Sequence, residues 1–180
     1  AHGFDFQYFN PALMPSCMPR ALADLAHGRN IVSFKGLSDL ERCRLFARIL
    51  DAAFEAHVEE ESATLRLLIV VEEGQRFTRK KVDEEAREAA EHAERALDRT
   101  VREGRKYGCC VVLISQTIRD FAYESASIRQ NTNTKIFFHN SDREVEYASA
   151  FLEDGKRIVR LAPGSAIVFN SSWGEMEVRI

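Results

Sequence analysis

The run Leu67-Leu68-Ile69-Val70-Val71-Glu72-Glu73-Gly74-Gln75-Arg76-Phe77 decides the fold class. Five apolar residues in succession suit a strand covered on both faces, as in a parallel sheet with helices on either side. The abrupt change to two carboxylates marks the carboxyl end of that strand, the edge at which open α/β sheets bind ligands. Upstream, residues 31–35 read as a short strand closed by Gly36, and Ser38-Asp39-Leu40-Glu41 fits a helix-opening capping box. The helix is expected to reach about residue 60, with Leu40, Cys43, Ala47, Leu50, Phe54 and Val58 on one buried face. Downstream, Val82, Ala86, Ala89, Ala93, Leu97 and Val101 make a narrow apolar stripe on a charged helix over 82–103. Residues 109–115 are a second apolar strand and 136–138 a third. Ser141-Asp142-Arg143-Glu144 is a second capping box, opening a helix that ends near Gly155. Residues 165–169 and 175–180 read as an antiparallel hairpin joined across 171–174. Alternating strands and helices from residue 31 onward predict an α/β class with a largely parallel sheet.

A chain of 180 residues, 45% hydrophobic and 29% charged, has the composition of a globular protein of about one domain. Its longest apolar run, 109–114, is far short of the roughly 20 residues of a membrane span. A net charge of −3 excludes a generally basic nucleic-acid coat and confines any DNA contact to a local patch. Cys17, Cys43, Cys109 and Cys110 form no C-x-x-C pair, which predicts reduced, buried thiols. The start, Ala1-His2-Gly3, shows no secretory signal, so a cytoplasmic location is expected, and the missing Met hints at a processed or excised chain. Phe4-Asp5-Phe6-Gln7-Tyr8-Phe9, followed by Pro11, Pro15 and Pro19, breaks the α/β rhythm and reads as an edge strand or docking arm. The expected organisation is therefore an arm over 1–30 and the main domain over 31–180.

Two adjacent acids at a strand end repel each other unless a cation relieves them, and a hard cation such as Mg2+ suits that task. Glu72 would then lie near the metal and Glu73 would orient or deprotonate an attacking water. The plainer alternative is two solvated glutamates in a turn. Gln116 ends the 109–115 strand, so in a parallel sheet it shares an edge with Glu72 and Glu73, where a neutral amide can hydrogen-bond a phosphate. Arg105 precedes that strand and belongs at the opposite edge. From there it can serve a neighbouring subunit's site, stabilising phosphoryl transfer in trans; the alternative is a helix-end arginine favoured by the macrodipole. Arg76, Arg79, Lys80 and Lys81 are the densest basic cluster, either a DNA-backbone contact or an offset to the acidic helix that follows. His57, His92 and His139 have no clustered partner and read as surface or satisfied histidines, and Trp173 as a packing residue.

Taken in order, LLIVVEEGQRF (67–77), REGRKYG (102–108), VVLISQ (111–116) and NTNTKIFFHNSDREVEYASAFL (131–152) resemble the HerA/FtsK superfamily of RecA-fold motors, in particular its HerA helicase and conjugation-ATPase branches. The resemblance covers residues 31–180. It implies a RecA-like, mostly parallel sheet flanked by helices, with Glu72 as the Walker B acid that holds Mg2+, Glu73 as the catalytic glutamate, Gln116 as the sensor and Arg105 as the arginine finger. It also implies ATP as the cofactor, DNA as the partner and a homo-oligomeric, hexameric ring.

One element of the family pattern is missing: no G-x-x-x-x-G-K-[ST] loop occurs in these 180 residues, and Gly155-Lys156-Arg157 lacks both the upstream glycine and the hydroxyl. The chain therefore reads as the C-terminal part of a motor domain, inactive alone, whose phosphate-loop strand is absent. That omission leaves open strand edges, to be filled by the aromatic arm or by a second copy. Two rivals stand beside this reading: a non-catalytic assembly module that keeps the half-fold, and an unrelated doubly wound domain with a small ligand at the same edge.

Overall fold

A computed structural model describes Leu22, Leu25 and residues 28–77, 82–119 and 126–180. The N-terminal arm proposed for 1–30 lies almost wholly outside the described residues. The chain divides into two compact units, residues 1–113 and 114–180.

In the first unit, helix α1 (Asp39–Glu55) opens on the expected capping box. Ser38 Oγ accepts the Glu41 N–H at 3.3 Å, and a Glu41 carboxylate oxygen accepts the Ser38 N–H at 2.9 Å. These bonds to Ser38 hold the Glu41 carboxyl below its ordinary pKa. The buried face of α1 carries Cys43, Leu45, Phe46, Ala47, Leu50, Ala53 and Phe54. It packs on α2 (Arg87–Glu103), which offers Ala89, Ala90, Ala93 and Ala96. Such small side chains let two helix axes approach closely. Helix α1 stops five residues short of the expected end, and buried His57 caps it by contacting the Ala53 carbonyl at 2.9 Å through Nδ1.

Strand β1 (Ser62–Glu72) and strand β2 (Tyr107–Ile114) form a parallel pair. β1 begins five residues before the apolar run, because its first half is drawn into the ladder beside Gly108. A Cβ on Gly108, at φ +71°, would sit 2.2 Å from the Thr64 carbonyl oxygen, so only glycine admits the approach. Burial of β1 is one-sided rather than two-sided: Val71 is buried, whereas Leu68 and Val70 remain about half exposed, as does Val112 on β2. Residues 31–35, expected as a strand, have none; Phe34 instead turns its ring edge to Phe46 and Phe77.

In the second unit, β3 (Thr134–Phe137), β4 (Ser165–Asn170) and β5 (Gly174–Arg179) form an antiparallel sheet in which Phe137 lies opposite Ile167 and Ile167 opposite Glu177. The C-terminal hairpin is thus present as expected. Phe137, Ala148, Leu152, Ile158, Leu161 and Ile167 make its core. Trp173, expected to pack, is 54% exposed in the hairpin turn.

The second capping box does not form. Residues Asp142–Glu144 make one tight 3₁₀ turn before a single α-helical turn, α3 (Val145–Ala148), and Ser141 makes no side-chain cap bond. The Glu144 side chain is committed elsewhere, as described below. Among the described residues, no helix is long and apolar enough to cross a membrane.

Of the four cysteines, Cys43 and Cys109 are buried but Cys110 is exposed, which corrects the expectation for that residue; Cys17 lies outside the described residues. Burial pushes the Cys43 thiol up to about 11 and raises that of Cys109, so both stay protonated at neutral pH. Since the thiolate is the nucleophile, iodoacetamide should alkylate Cys110 well before Cys43 or Cys109, read by peptide mass mapping. Equal labelling of the three would show that the interior around Cys43 and Cys109 opens readily.

Candidate functional site at the carboxyl end of β1

The strand end is conformationally unusual. Glu73, the residue immediately after β1, has φ +56°, and it is the sole non-glycine residue with positive φ among the described residues. A left-handed glutamate costs on the order of 1 kcal/mol and persists only where the surroundings over-determine it. Two sets of contacts do so here. Gln75, in the 3₁₀ turn Gly74–Phe77, donates from Nε2 to a Glu73 carboxylate oxygen at 2.5 Å, and the Arg76 N–H donates to the Glu73 carbonyl at 2.9 Å. Phe77 then anchors the turn by stacking on Phe46 of α1, with centroids 3.9 Å apart. The aromatic residue closing the motif fastens the acid-bearing turn to the helix core.

The two acids meet different surroundings. Glu72 continues the strand and is exposed, while Glu73 is drawn into the turn, its side chain 24% exposed. The Arg76 guanidinium lies 4.0 Å from the Glu73 carboxylate and is 63% exposed, so it adds little attraction and stays accessible. Arg79, Lys80 and Lys81, the rest of the basic cluster, lie outside the described residues.

No group of three or more metal-ligating side chains occurs among the described residues. The donor chemistry nevertheless fits Mg2+, which takes hard oxygen ligands, retains waters and is commonly held by one or two carboxylates with substrate phosphates. Exposed Glu72 at a strand terminus offers such a carboxylate. His57 and His139 contact the backbone carbonyls of Ala53 and Leu161, and His92 contacts Asp51, each through a ring nitrogen.

Arg105 lies on the 3₁₀ turn Gly104–Lys106, exposed, immediately before β2. Tyr107, the first residue of β2, meets Phe54 edge to face at 5.6 Å, and that ring also carries the Arg99 guanidinium at 4.3 Å. Because β1 and β2 run parallel and Gly108 sits beside Thr64, Arg105 is at the end opposite Glu72. Glu72 lies eight residues beyond Thr64, about 26 Å along the strand. No arginine side chain spans that distance.

Gln116 follows β2 in the second unit, with an exposed side chain. Its carbonyl accepts from Asn140 Nδ2 at 3.3 Å. The next two amides, of Ile118 and Arg119, both donate to one oxygen of Glu144, at 2.8 and 3.0 Å. Glu144 is only 4% exposed. Asn140 and Glu144 are not legible as functional in the sequence, since Glu144 fits a local cap; the one signal is a carboxylate followed by apolar Val145 and, one helical turn on, Ala148.

No family model matches the chain, and no curated protein matches its sequence. Solved structures do match. The genome packaging NTPase B204 from Sulfolobus turreted icosahedral virus 2, solved in complex with sulfate, superposes with a TM-score of 0.60 at 13% identity, over 88% of this chain and 70% of that one. The pCW3 conjugation coupling protein TcpA, in a monomer form with ATPγS, superposes with a TM-score of 0.54 at 16% identity, over 89% of this chain but only 44% of its own. At these identities the likeness is one of fold, and the chain has the RecA-like α/β fold of these proteins.

Proposed function

We propose that this chain is the C-terminal part of a HerA/FtsK-like motor domain that couples ATP hydrolysis to DNA translocation in a cytoplasmic, hexameric ring. The observation that carries the proposal is the left-handed Glu73, locked at the carboxyl end of a RecA-like strand beside an exposed Glu72. Strain of this kind gathers at functional sites. In this reading Glu72 would hold Mg2+, which would screen phosphate charge, Glu73 takes the proton of the water whose oxygen bonds the terminal phosphorus as the bond to the ADP oxygen breaks, and Gln116 hydrogen-bonds that phosphate. The half-exposed apolar face of Leu68, Val70 and Val112 supports a larger domain, since uncovered patches of this kind mark surfaces that pack against something else. The phosphate loop would come from a segment outside these residues. Arg76, with Arg79, Lys80 and Lys81, grips the DNA backbone next to the hydrolytic site.

Placement of Arg105 at the end of the parallel pair opposite Glu72 favours action on a neighbouring subunit's nucleotide. Arg105→Ala in the full-length protein is expected to lower kcat by roughly three orders of magnitude or more. Mixing it with Glu73→Gln subunits should restore part of the activity, because some interfaces then pair an intact Arg105 with an intact Glu73. An absence of complementation would return Arg105 to a helix-end role.

The lack of a phosphate loop within the chain favours a second reading, a non-catalytic assembly module. Titrating a fluorescent ATP analogue against this chain and against the full-length protein separates the two. The motor reading predicts binding by the longer protein, and no binding by either favours the module.

A further inference from the structure

Glu144 is a buried carboxylate serving a loop about 25 residues away in sequence. Both the Ile118 and Arg119 amides converge on its Oε2, while Asn140 holds the Gln116 carbonyl. Asn140 is itself fixed: its N–H donates to the Ile158 carbonyl at 3.2 Å, and its Oδ1 accepts the Ser141 N–H at 2.8 Å. Ile118 packs on the core of Phe137, Ala148 and Ile158. The loop bearing Gln116 is therefore pinned on both sides of Thr117 to the 140–144 segment, which leads directly out of β3. Among the described residues Glu144 accepts only backbone amides and meets no cation, and an apolar residue would pack there at lower desolvation cost.

We propose that Glu144 is a positioning residue for Gln116, which sets the loop's geometry at the nucleotide and ties it to the β3–β5 unit, with Asn140 as its second fastening. This rests on Gln116 acting at the nucleotide, as proposed above. Because one oxygen accepts both bonds, glutamine can reproduce the clamp and alanine cannot.

The test combines amide hydrogen exchange on the full chain with turnover by the full-length protein. Glu144→Ala should accelerate exchange at Ile118 and Arg119 by about ten- to a hundredfold relative to Phe137 and Ile167, and Glu144→Gln should restore most of the protection. In turnover, Glu144→Ala and Gln116→Ala should lower kcat by similar factors with KM nearly unchanged, and the double variant should lose no more than either alone. Uniform acceleration across β3–β5, or none at Ile118 and Arg119, overturns the clamp. A fall in kcat for Gln116→Ala but not for Glu144→Ala overturns the positioning role. If Gln116→Ala leaves turnover intact, the role of Gln116 falls and the positioning role with it, whereas the exchange result still reports the clamp.

Discussion

Glu73→Gln in the full-length protein is expected to reduce ATP turnover by about a hundred- to ten-thousandfold, the range for removing a general base, while leaving nucleotide affinity nearly unchanged. Glutamine keeps the shape and one acceptor oxygen for Gln75, so the turn at φ +56° should survive. What disappears is the group that receives a proton. Steady-state hydrolysis alongside titration of a fluorescent ATP analogue checks both halves. Preserved turnover would remove Glu73 from the chemistry and reduce the strained turn to an architectural feature.

Gly108→Ala should destabilise the fold by about 3–5 kcal/mol, at the upper end for a single substitution. Two costs add: a side chain at φ +71°, and a methyl carbon 2.2 Å from the Thr64 carbonyl oxygen, which neither strand can avoid without shifting. The contact is backbone rather than a flexible side-chain tip, so relaxation means losing ladder pairing at the start of β1 and β2. Arg105 stands at that start, and the damage should therefore reach it before it reaches Glu72. Urea denaturation followed by circular dichroism measures the loss. A change below about 1 kcal/mol, the ordinary scale for point substitutions, would mean that the strands do not approach as described.

The local signals that proved legible were those whose physics is local. Ser38 and Glu41 sit three residues apart and satisfy each other's backbone, so the start of α1 could be read directly. The hairpin turn before Gly174, at φ +84°, was equally self-contained. Residues 141–144 carry the same box pattern but form no such cap, because Glu144 found better donors in two amides some 25 residues upstream, which no local pattern reveals. An apolar run shows what a strand can bury, not what covers it, and so Leu68 and Val70, which suit a two-sided core by sequence, are about half exposed. The pair Glu72-Glu73 is visible as chemistry in the sequence, but the left-handed backbone at Glu73 is not. Its determinants are Gln75, Phe77 and a ring on another helix, Phe46.

The most direct test asks whether Glu72, Glu73 and Gln116 share one nucleotide. With Mn2+ and ATPγS bound to the full-length assembly, paramagnetic broadening should erase the backbone amide signals of Glu72 and Glu73 together with the side-chain amide of Gln116. Broadening at Glu72 and Glu73 with a sharp Gln116 signal would contradict the shared site.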